Sequence, residues 1–304
     1  MNLVIVGQGA IGLLWHKHFQ QLNDPTLLLK VFRSKSLIDD PSDTYNYTNI
    51  HGYSQQNHLF TAAITDISNA DILLICVKSY QVKAVLTQFS KHIHKKTLII
   101  LAHNGMGTLL DISESLLKKH IFLALLTTHG CTRPNTKHII HTGIGTSDLG
   151  LLKGKLSHAQ AKSLTSLFNK ALPQTYWCNN IIEKQWEKLA INCVINPLTA
   201  LHNITNGEIN SIEFKKLTQL LLTEVIKVAK TEQQNLSLNT LLMKVEQVAF
   251  ATAKNCSSMR TDVLTKRLTE IDYINGYVHR LGVKHGIATP ENTKLWHKIK
   301  SLNI

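Results

Sequence analysis

LVIVGQGAIG, residues 3–12, decides the fold. Residues 3–6 form an unbroken apolar run of the kind found in a strand buried on both faces. Gly7, Gln8, Gly9, Ala10, Ile11 and Gly12 follow at once and match G-x-G-x-x-G. An amphipathic helix of about ten residues comes next, with Leu13, Leu14 and Phe19 on its apolar side. Alone, the hexapeptide is weak evidence; between a strand and a helix it points to a dinucleotide site. Gly7 permits the tight turn, Gly9 lets the backbone approach a pyrophosphate, and Gly12 lets the helix pack close to the strand. The helix N-terminus adds N–H groups and positive dipole. The plainer alternative is an ordinary glycine-rich turn.

Working outward, residues 27–32 form the next strand. A site for NADH usually has a carboxylate near that strand's end to hold the ribose 2′-hydroxyl. Here Arg33, Ser34 and Lys35 stand there instead, which favours a 2′-phosphate and hence NADPH. The alternative for Arg33 is a plain surface charge. Residues 40–57 are polar and turn-rich and read as a loop or irregular hairpin without chemistry. Residues 71–77 are a second buried strand ending at Lys78, and Gln81, Ala84, Val85 and Phe89 begin another helix. Residues 97–102 are a third strand, leading into His103–Thr108, which holds Asn104. Ligands of open α/β sheets sit beyond the carboxyl ends of strands, which suits Lys78 and Asn104. The alternation predicts an α/β fold with a doubly wound parallel sheet. The segments at 121–128, 138–141 and 149–152 are expected to extend that sheet with antiparallel strands. A helix at 157–172 and a strand at 175–178 close a nucleotide-binding domain of residues 1–178; residues 179–304 form an all-helical domain.

The most informative part of the second domain is EKQWEKLAINCVINP, residues 183–197. As a helix it places Lys188, Asn192 and Asn196 at i, i+4 and i+8, on one face. Leu189, Ala190, Ile191, Cys193, Val194 and Ile195 take nearly all the rest of the circumference. A solvated helix face is normally broad and rich in Glu, Lys and Gln; this one is narrow and uses Asn twice, a poor helix former. Buried amides and a buried lysine need partners, and a polar ligand in a cleft would supply them. Pro197 marks a kink or a helix end. Residues 203–208 read as a turn, 211–231 and 238–254 as helices. Residues 255–262 are too dense in short polar side chains for a helix interior. Residues 269–276 open a further helix on which Glu270 shares a face with Ile274, Tyr277 and Leu281. Glu270 is then a satisfied buried acid or a site residue.

Composition excludes several classes. The 304 residues suit two domains, and 43% hydrophobic content is enough for packed cores, so disorder is not expected. No apolar run is long enough to span a bilayer, and residues 1–12 lack the basic n-region of a signal peptide, so the expectation is a soluble, cytoplasmic protein with no membrane partner. Five cysteines without C-x-x-C suit reduced, buried thiols and no metal site. The net charge of +13 is dispersed, which argues against nucleic acid and suits attraction of small anions. The sixteen histidines include the pairs His16/His18 and His92/His94, expected at the surface without a role.

The chain resembles the ketopantoate reductase family from end to end. The likeness rests on GQGAIG (7–12), KSYQ (78–81), HNGMGT (103–108), KLAINCVINPLTAL (188–201), NGE (206–208), SSM through TEIDYING (257–276) and GIATPEN (286–292). It implies a Rossmann-type NADPH-binding domain, a helical domain, an active site between them, and reduction of 2-dehydropantoate to (R)-pantoate for pantothenate and coenzyme A. It implies catalytic roles for Lys188, as the acid that protonates the ketone oxygen, and for Glu270, which contacts the substrate hydroxyl. It places Asn104, Asn192, Asn196, Asn206, Asn255 and Ser258 at the substrate. It places the glycine loop, Arg33, Lys78, Gln81, Asn104 and Glu270 on the cofactor side. The expected partner is the small-molecule substrate, in a monomer or homodimer. One departure is Asn206 where the family often has proline. Two rivals are a related NADP-dependent 2-oxo or 2-imino acid dehydrogenase and a non-catalytic NADP sensor.

Overall fold

Successive residues of the buried strands face two different cores, as the pleat requires. Leu3, Ile5, Ile72, Leu74, Ile100, Leu123 and Leu125 pack on one side of the sheet. Val4, Val6, Leu73, Ile75, Ile99, Leu101 and Phe122 pack on the other. The computed structural model describes residues 1–33 and 43–302, so Ser34 and Lys35 lie outside it. Contacts divide the chain into two units, the first holding Met1–His103 and Leu109–Ile181, the second Asn104–Thr108 and Ile182–Ile304.

The first unit runs β1 (Asn2–Val6), α1 (Ala10–Gln20), β2 (Leu28–Phe32), β3 (Thr44–Thr48), β4 (Ser54–His58), α2 (Ile64–Ser68), β5 (Ile72–Ile75), α3 (Ser79–Phe89), β6 (Leu98–Leu101), α4 (Glu114–Lys119), β7 (Ile121–Thr127), β8 (Gly130–Asn135), β9 (His138–Gly143), β10 (Ser147–Lys153), α5 (His158–Ala171) and β11 (Thr175–Trp177). Seven strands form the main sheet in the order β11-β10-β7-β6-β5-β1-β2. Strands β2, β1, β5, β6 and β7 are parallel, and β10 enters antiparallel to β7. This is the Rossmann-type architecture expected.

Three expectations about the strands need correction. Strand β7, expected to be antiparallel, pairs parallel with β6. Strand β9 does not extend the main sheet; it joins β8, β3 and β4 in a second sheet ordered β4-β3-β9-β8. The segment taken for a loop or irregular hairpin contributes a regular one, β3 pairing with β4 from Thr44↔His58 to Thr48↔Ser54. The overlooked signal is the alternation TYNYT, which turns Tyr45 and Tyr47 inward. The Asn49 side chain shapes the turn by accepting from the N–H groups of His51 and Tyr53.

The second unit contains α6 (Ile181–His202), α7 (Ile212–Thr231), α8 (Leu238–Ala251), α9 (Ser258–Leu264), α10 (Asn275–His285) and α11 (Pro290–Lys300), with 3-10 turns at Asn206–Asn210 and Ile271–Tyr273. Helix α6 does not stop at Pro197 but continues through it for five residues. An interior proline costs about 3 kcal/mol. Burial of Trp186, Leu189, Val194, Ile195 and Leu198 on the same helix, at about 1.5–3 kcal/mol each, outweighs that. The polar run 255–262 proves to be a helix start: the Ser257 hydroxyl accepts from the Arg260 N–H and caps α9. Glu270 does not share one helix face with Ile274, because the 3-10 turn and the bend at Ile274 (φ −114°, ψ −100°) separate it from α10. Gly286, at φ 67°, closes α10 in the left-handed conformation.

The expectation of surface histidines fails for His16 and holds for His92 and His94, which are exposed. Helix α1 is covered on one flank by α5, where Trp15 and Phe19 meet Phe168, and on another by the second sheet. Hence His16 is fully buried, its Nδ1 3.0 Å from the Tyr45 hydroxyl, and His18 packs edge-on against Tyr47 and His141. His129 Nδ1 accepts from the Gly145 N–H at 3.2 Å and lies 3.2 Å from His141 Nε2. His141 Nδ1 lies 3.3 Å from the Tyr47 hydroxyl. The consistent assignment has Tyr47 donating to His141 and His141 donating to His129, with both rings neutral.

Burial, with Lys17 second, lowers His16 to about 4. Burial, with His141 second, lowers His129 to about 4. Burial, then His141, His129 and Lys17, lowers His18 to about 4. In the unfolded chain such rings titrate near 6.5, so between the two values the unfolded state binds more protons. Stability is full above about pH 6.5 and drains as pH falls toward 4. The thermal midpoint is expected to drop across that window, less steeply in His16→Gln. A midpoint flat from pH 6.5 to 4 would show that these rings charge freely in the folded state.

Candidate active site

Two of the three motif glycines leave no room for a side chain. Gly7 has φ 107°, and a Cβ there would stand 2.9 Å from the Cys76 carbonyl oxygen and 3.0 Å from Val77 Cγ1. A Cβ on Gly12 would run into the Gly7 carbonyl. Gly9 differs: it is exposed, and only the Cys76 oxygen, at 3.7 Å, would lie near its Cβ. Gly9 is the N-cap of α1 and offers no side-chain cap. The leading N–H groups of an eleven-residue helix are therefore left for solvent or an anion. Gln8 and Ala10 are half-buried in the turn, and Ile11 packs against the core beneath. This bare-backbone cradle, open at Gly9, fits a dinucleotide pyrophosphate.

Arg33 follows β2 directly. Its side chain is 7% exposed and pairs with Asp43, itself 63% exposed, at 2.8 Å. Arg33 Nε is buried with no partner among the described residues. A 2′-phosphate at this point would compete with the Asp43 carboxylate for the guanidinium. Lys78 is the N-cap of α3, and Gln81 spends its Oε1 on the Lys78 N–H at 3.1 Å. In this structure Gln81 thus serves α3 as a cap.

The remaining candidates all belong to the second unit. Continuous α6 keeps Lys188, Asn192 and Asn196 on one face. Lys188 and Asn192 are half-buried and Asn196 is 6% exposed. Asn192 Nδ2 is buried with no partner among the described residues. The Asn206 Nδ2 donates to Thr252 Oγ1 at 3.0 Å, while its Oδ1 is buried and without a partner among the described residues. Asn206 and Asn255 are brought together by the bond from the Asn206 N–H to the Asn255 carbonyl, 3.1 Å. Gly207 is required beside them, since a Cβ there would lie 2.7 Å from that of Ala253.

Two bonds tie the other candidates in. The Thr199 hydroxyl on α6 shares a hydrogen bond with the Ser257 hydroxyl at 2.7 Å, which fixes the start of α9 and exposed Ser258. The Met106 N–H donates to the Tyr273 carbonyl at 2.8 Å, which joins the Asn104 loop to the turn that follows buried Glu270. Gly107, at φ 88°, lies under Tyr277, whose ring would be 2.5 Å from a Cβ there. Thr199 and Ser257 were not singled out from sequence. A serine three residues before a backbone N–H at a helix start is the capping signal that could have found Ser257. Burial, with Glu224 second, raises the Cys193 thiol well above its usual range, so it is no nucleophile.

In the second unit Asn192 Nδ2 and Asn206 Oδ1 are thus a buried donor and a buried acceptor without partners among the described residues. Among the described residues no group of three His, Cys, Asp or Glu could hold a metal ion, and no helix is long and apolar enough to cross a membrane.

Comparison with known proteins agrees with both units. The family model described as ketopantoate reductase PanE/ApbA matches residues 3–154, and its C-terminal companion matches residues 180–303. A Vibrio cholerae protein named 2-dehydropantoate 2-reductase is 38% identical over 302 residues, covering 99% of this chain and 98% of its own. Among solved structures, a ternary complex of D-mandelate dehydrogenase with NADH and anilino(oxo)acetate superposes with TM-score 0.88 at 22% identity, covering 100% of this chain and 98% of its own. A ketopantoate reductase from Ralstonia eutropha superposes with TM-score 0.85 at 20% identity, with the same coverage. At such identities the structures establish the fold, while the end-to-end sequence match and the two family models establish that the chain belongs to the ketopantoate reductase family.

Proposed function

We propose that the chain reduces the ketone of 2-dehydropantoate to (R)-pantoate with NADPH, a step toward pantothenate and coenzyme A. The observation that supports this most is the stripe Lys188, Asn192, Asn196 on α6, beside Leu189, Ala190, Cys193, Val194, Ile195 and Leu198 buried in apolar core. Unpartnered polar atoms inside a protein cost about 1–3 kcal/mol. Asn192 Nδ2 and Asn206 Oδ1 stand in that condition among the described residues. A substrate rich in oxygens relieves both.

When bound along Gly7–Gly12 and Arg33, NADPH supplies the hydride. As the ketone carbon takes it, negative charge builds on the carbonyl oxygen. The Lys188 ammonium donates a hydrogen bond and then its proton to that oxygen, an interaction strongest in the transition state. The neutral amine regains a proton from water. Asn192 and Asn196 hold the substrate oxygens and keep the lysine in line. Glu270 accepts from the substrate hydroxyl and sets its orientation. Asn104, Asn206, Asn255 and Ser258 complete the polar lining, with Ser258 toward the carboxylate. Lys78 and Gln81 act on the cofactor side. We further place the enzyme in the cytoplasm, a reducing compartment suited to its five unbridged cysteines.

An assay of NADPH oxidation with a panel of 2-oxo acids tests the substrate. Ketopantoate is expected to give the highest kcat/KM, and a better value for any other member overturns the proposal. Lys188→Ala is expected to lower turnover at least about a hundredfold, roughly 2.7 kcal/mol, with NADPH affinity nearly unchanged; wild-type turnover in that variant removes Lys188 from the mechanism. Arg33→Ala is expected to raise the KM for NADPH far more than that for NADH. Equal changes for the two cofactors would exclude a contact with the 2′-phosphate.

A further inference from the structure

Pro197 lies inside α6 and has no N–H to donate. The carbonyl four residues earlier, that of Cys193, is therefore deprived of its usual helical partner. The residue is fully buried, so water does not replace it. The missing donor comes from elsewhere in the second unit: Asn275 Nδ2 donates to the Cys193 carbonyl at 3.0 Å. The second proton of the same amide goes to Asn292 Oδ1 at 2.9 Å. Asn292 in turn donates to Glu224 at 2.8 Å and to the Leu221 carbonyl at 3.2 Å. Glu224 accepts from the backbone N–H groups of Glu291 and Asn292 at the start of α11, 2.9 Å each. Asn275 and Asn292 are both wholly inaccessible to solvent.

The location of this bond gives it a consequence for the reaction. Cys193 adjoins Asn192, and Asn196 adjoins Pro197, so the gap in the helical ladder falls between the two asparagines of the polar stripe. Asn275 is also the first residue of α10, five residues after Glu270. One amide thus spans from the helix bearing Lys188 to the segment bearing Glu270. We infer that Asn275 is a positioning residue that replaces the hydrogen bond Pro197 cannot make and so holds the α6 stripe and the Glu270 segment in register. It touches neither substrate nor cofactor in this reading. It acts through Cys193 on the asparagines to either side.

The inference rests on the ketopantoate reading, and the test separates the two. Three variants are compared with wild type: Asn275→Ala, Pro197→Ala, and both together. Asn275→Ala is expected to lower kcat/KM for ketopantoate at least about tenfold, since small misplacement of reacting groups costs on that order or more. Its NADPH affinity, which the first unit supplies, is expected to stay within about twofold of wild type, well short of the roughly tenfold change expected in kcat/KM. Pro197→Ala restores the N–H and is expected to remove most of the loss in the double variant. Amide hydrogen exchange in residues 196–202 follows the same device without any substrate: protection falls in Asn275→Ala and returns in the double variant.

A double variant no more active and no better protected than Asn275→Ala, or one that fails to fold, overturns the inference. So does an Asn275→Ala enzyme with wild-type kcat/KM. Loss and return of protection in an enzyme that does not reduce ketopantoate would instead uphold the device and overturn the substrate.

Discussion

The Cys193 carbonyl, buried and cut off from its helical partner by Pro197, is the constraint around which the second unit is arranged. A helix interrupted in this way needs an outside donor and strong packing on both sides of the gap. Asn275 supplies the first and Trp186, Leu189, Val194 and Leu198 the second. Thr199 adds a further local satisfaction by donating to the Ile195 carbonyl at 2.7 Å, and it reaches Ser257 as well. Helices α9 and α10 are thereby tied directly to α6, α11 through Asn275, and α7 through Asn275 and Asn292. The polar stripe sits on a helix anchored by packing and by these bonds, which suits groups that must hold a geometry.

The first unit solves a different problem by leaving side chains out. At Gly7 and Gly12 a single methyl group would collide with backbone, so strand, turn and helix are packed to contact and only Gly9 presents open main chain. The Gly7 N–H donates to the Phe32 carbonyl at 3.2 Å, so the Arg33–Asp43 pair begins one residue from this turn.

How legible each part was in the sequence follows from the range of the forces involved. The glycine turn, the parallel strands and the stripe on α6 depend on neighbours within a few residues, and spacing alone exposes them. The second sheet was missed because β3 pairs with β9, some ninety residues away, and polar strands such as SQQNH give no apolar run to notice. Glu270 was placed on the wrong local structure because the bend at Ile274 has no glycine or proline to announce it. The burial of His16 was invisible for the same reason as the second sheet that covers it. Asn275 could have been anticipated: a proline within a long apolar helix implies an orphan carbonyl, and a buried asparagine is a suitable donor. Which asparagine answers it depends on tertiary packing.

The histidines gathered between α1 and the second sheet give the two units unequal tolerance of acid. In the first unit His16, His18, His129 and His141 are all held neutral by burial; in the second only His279 is lowered among the described histidines. Protonating His129 at Nδ1 removes an acceptor that both Gly145 and His141 use. Through these rings, acid costs the nucleotide-binding half more stability than the helical half.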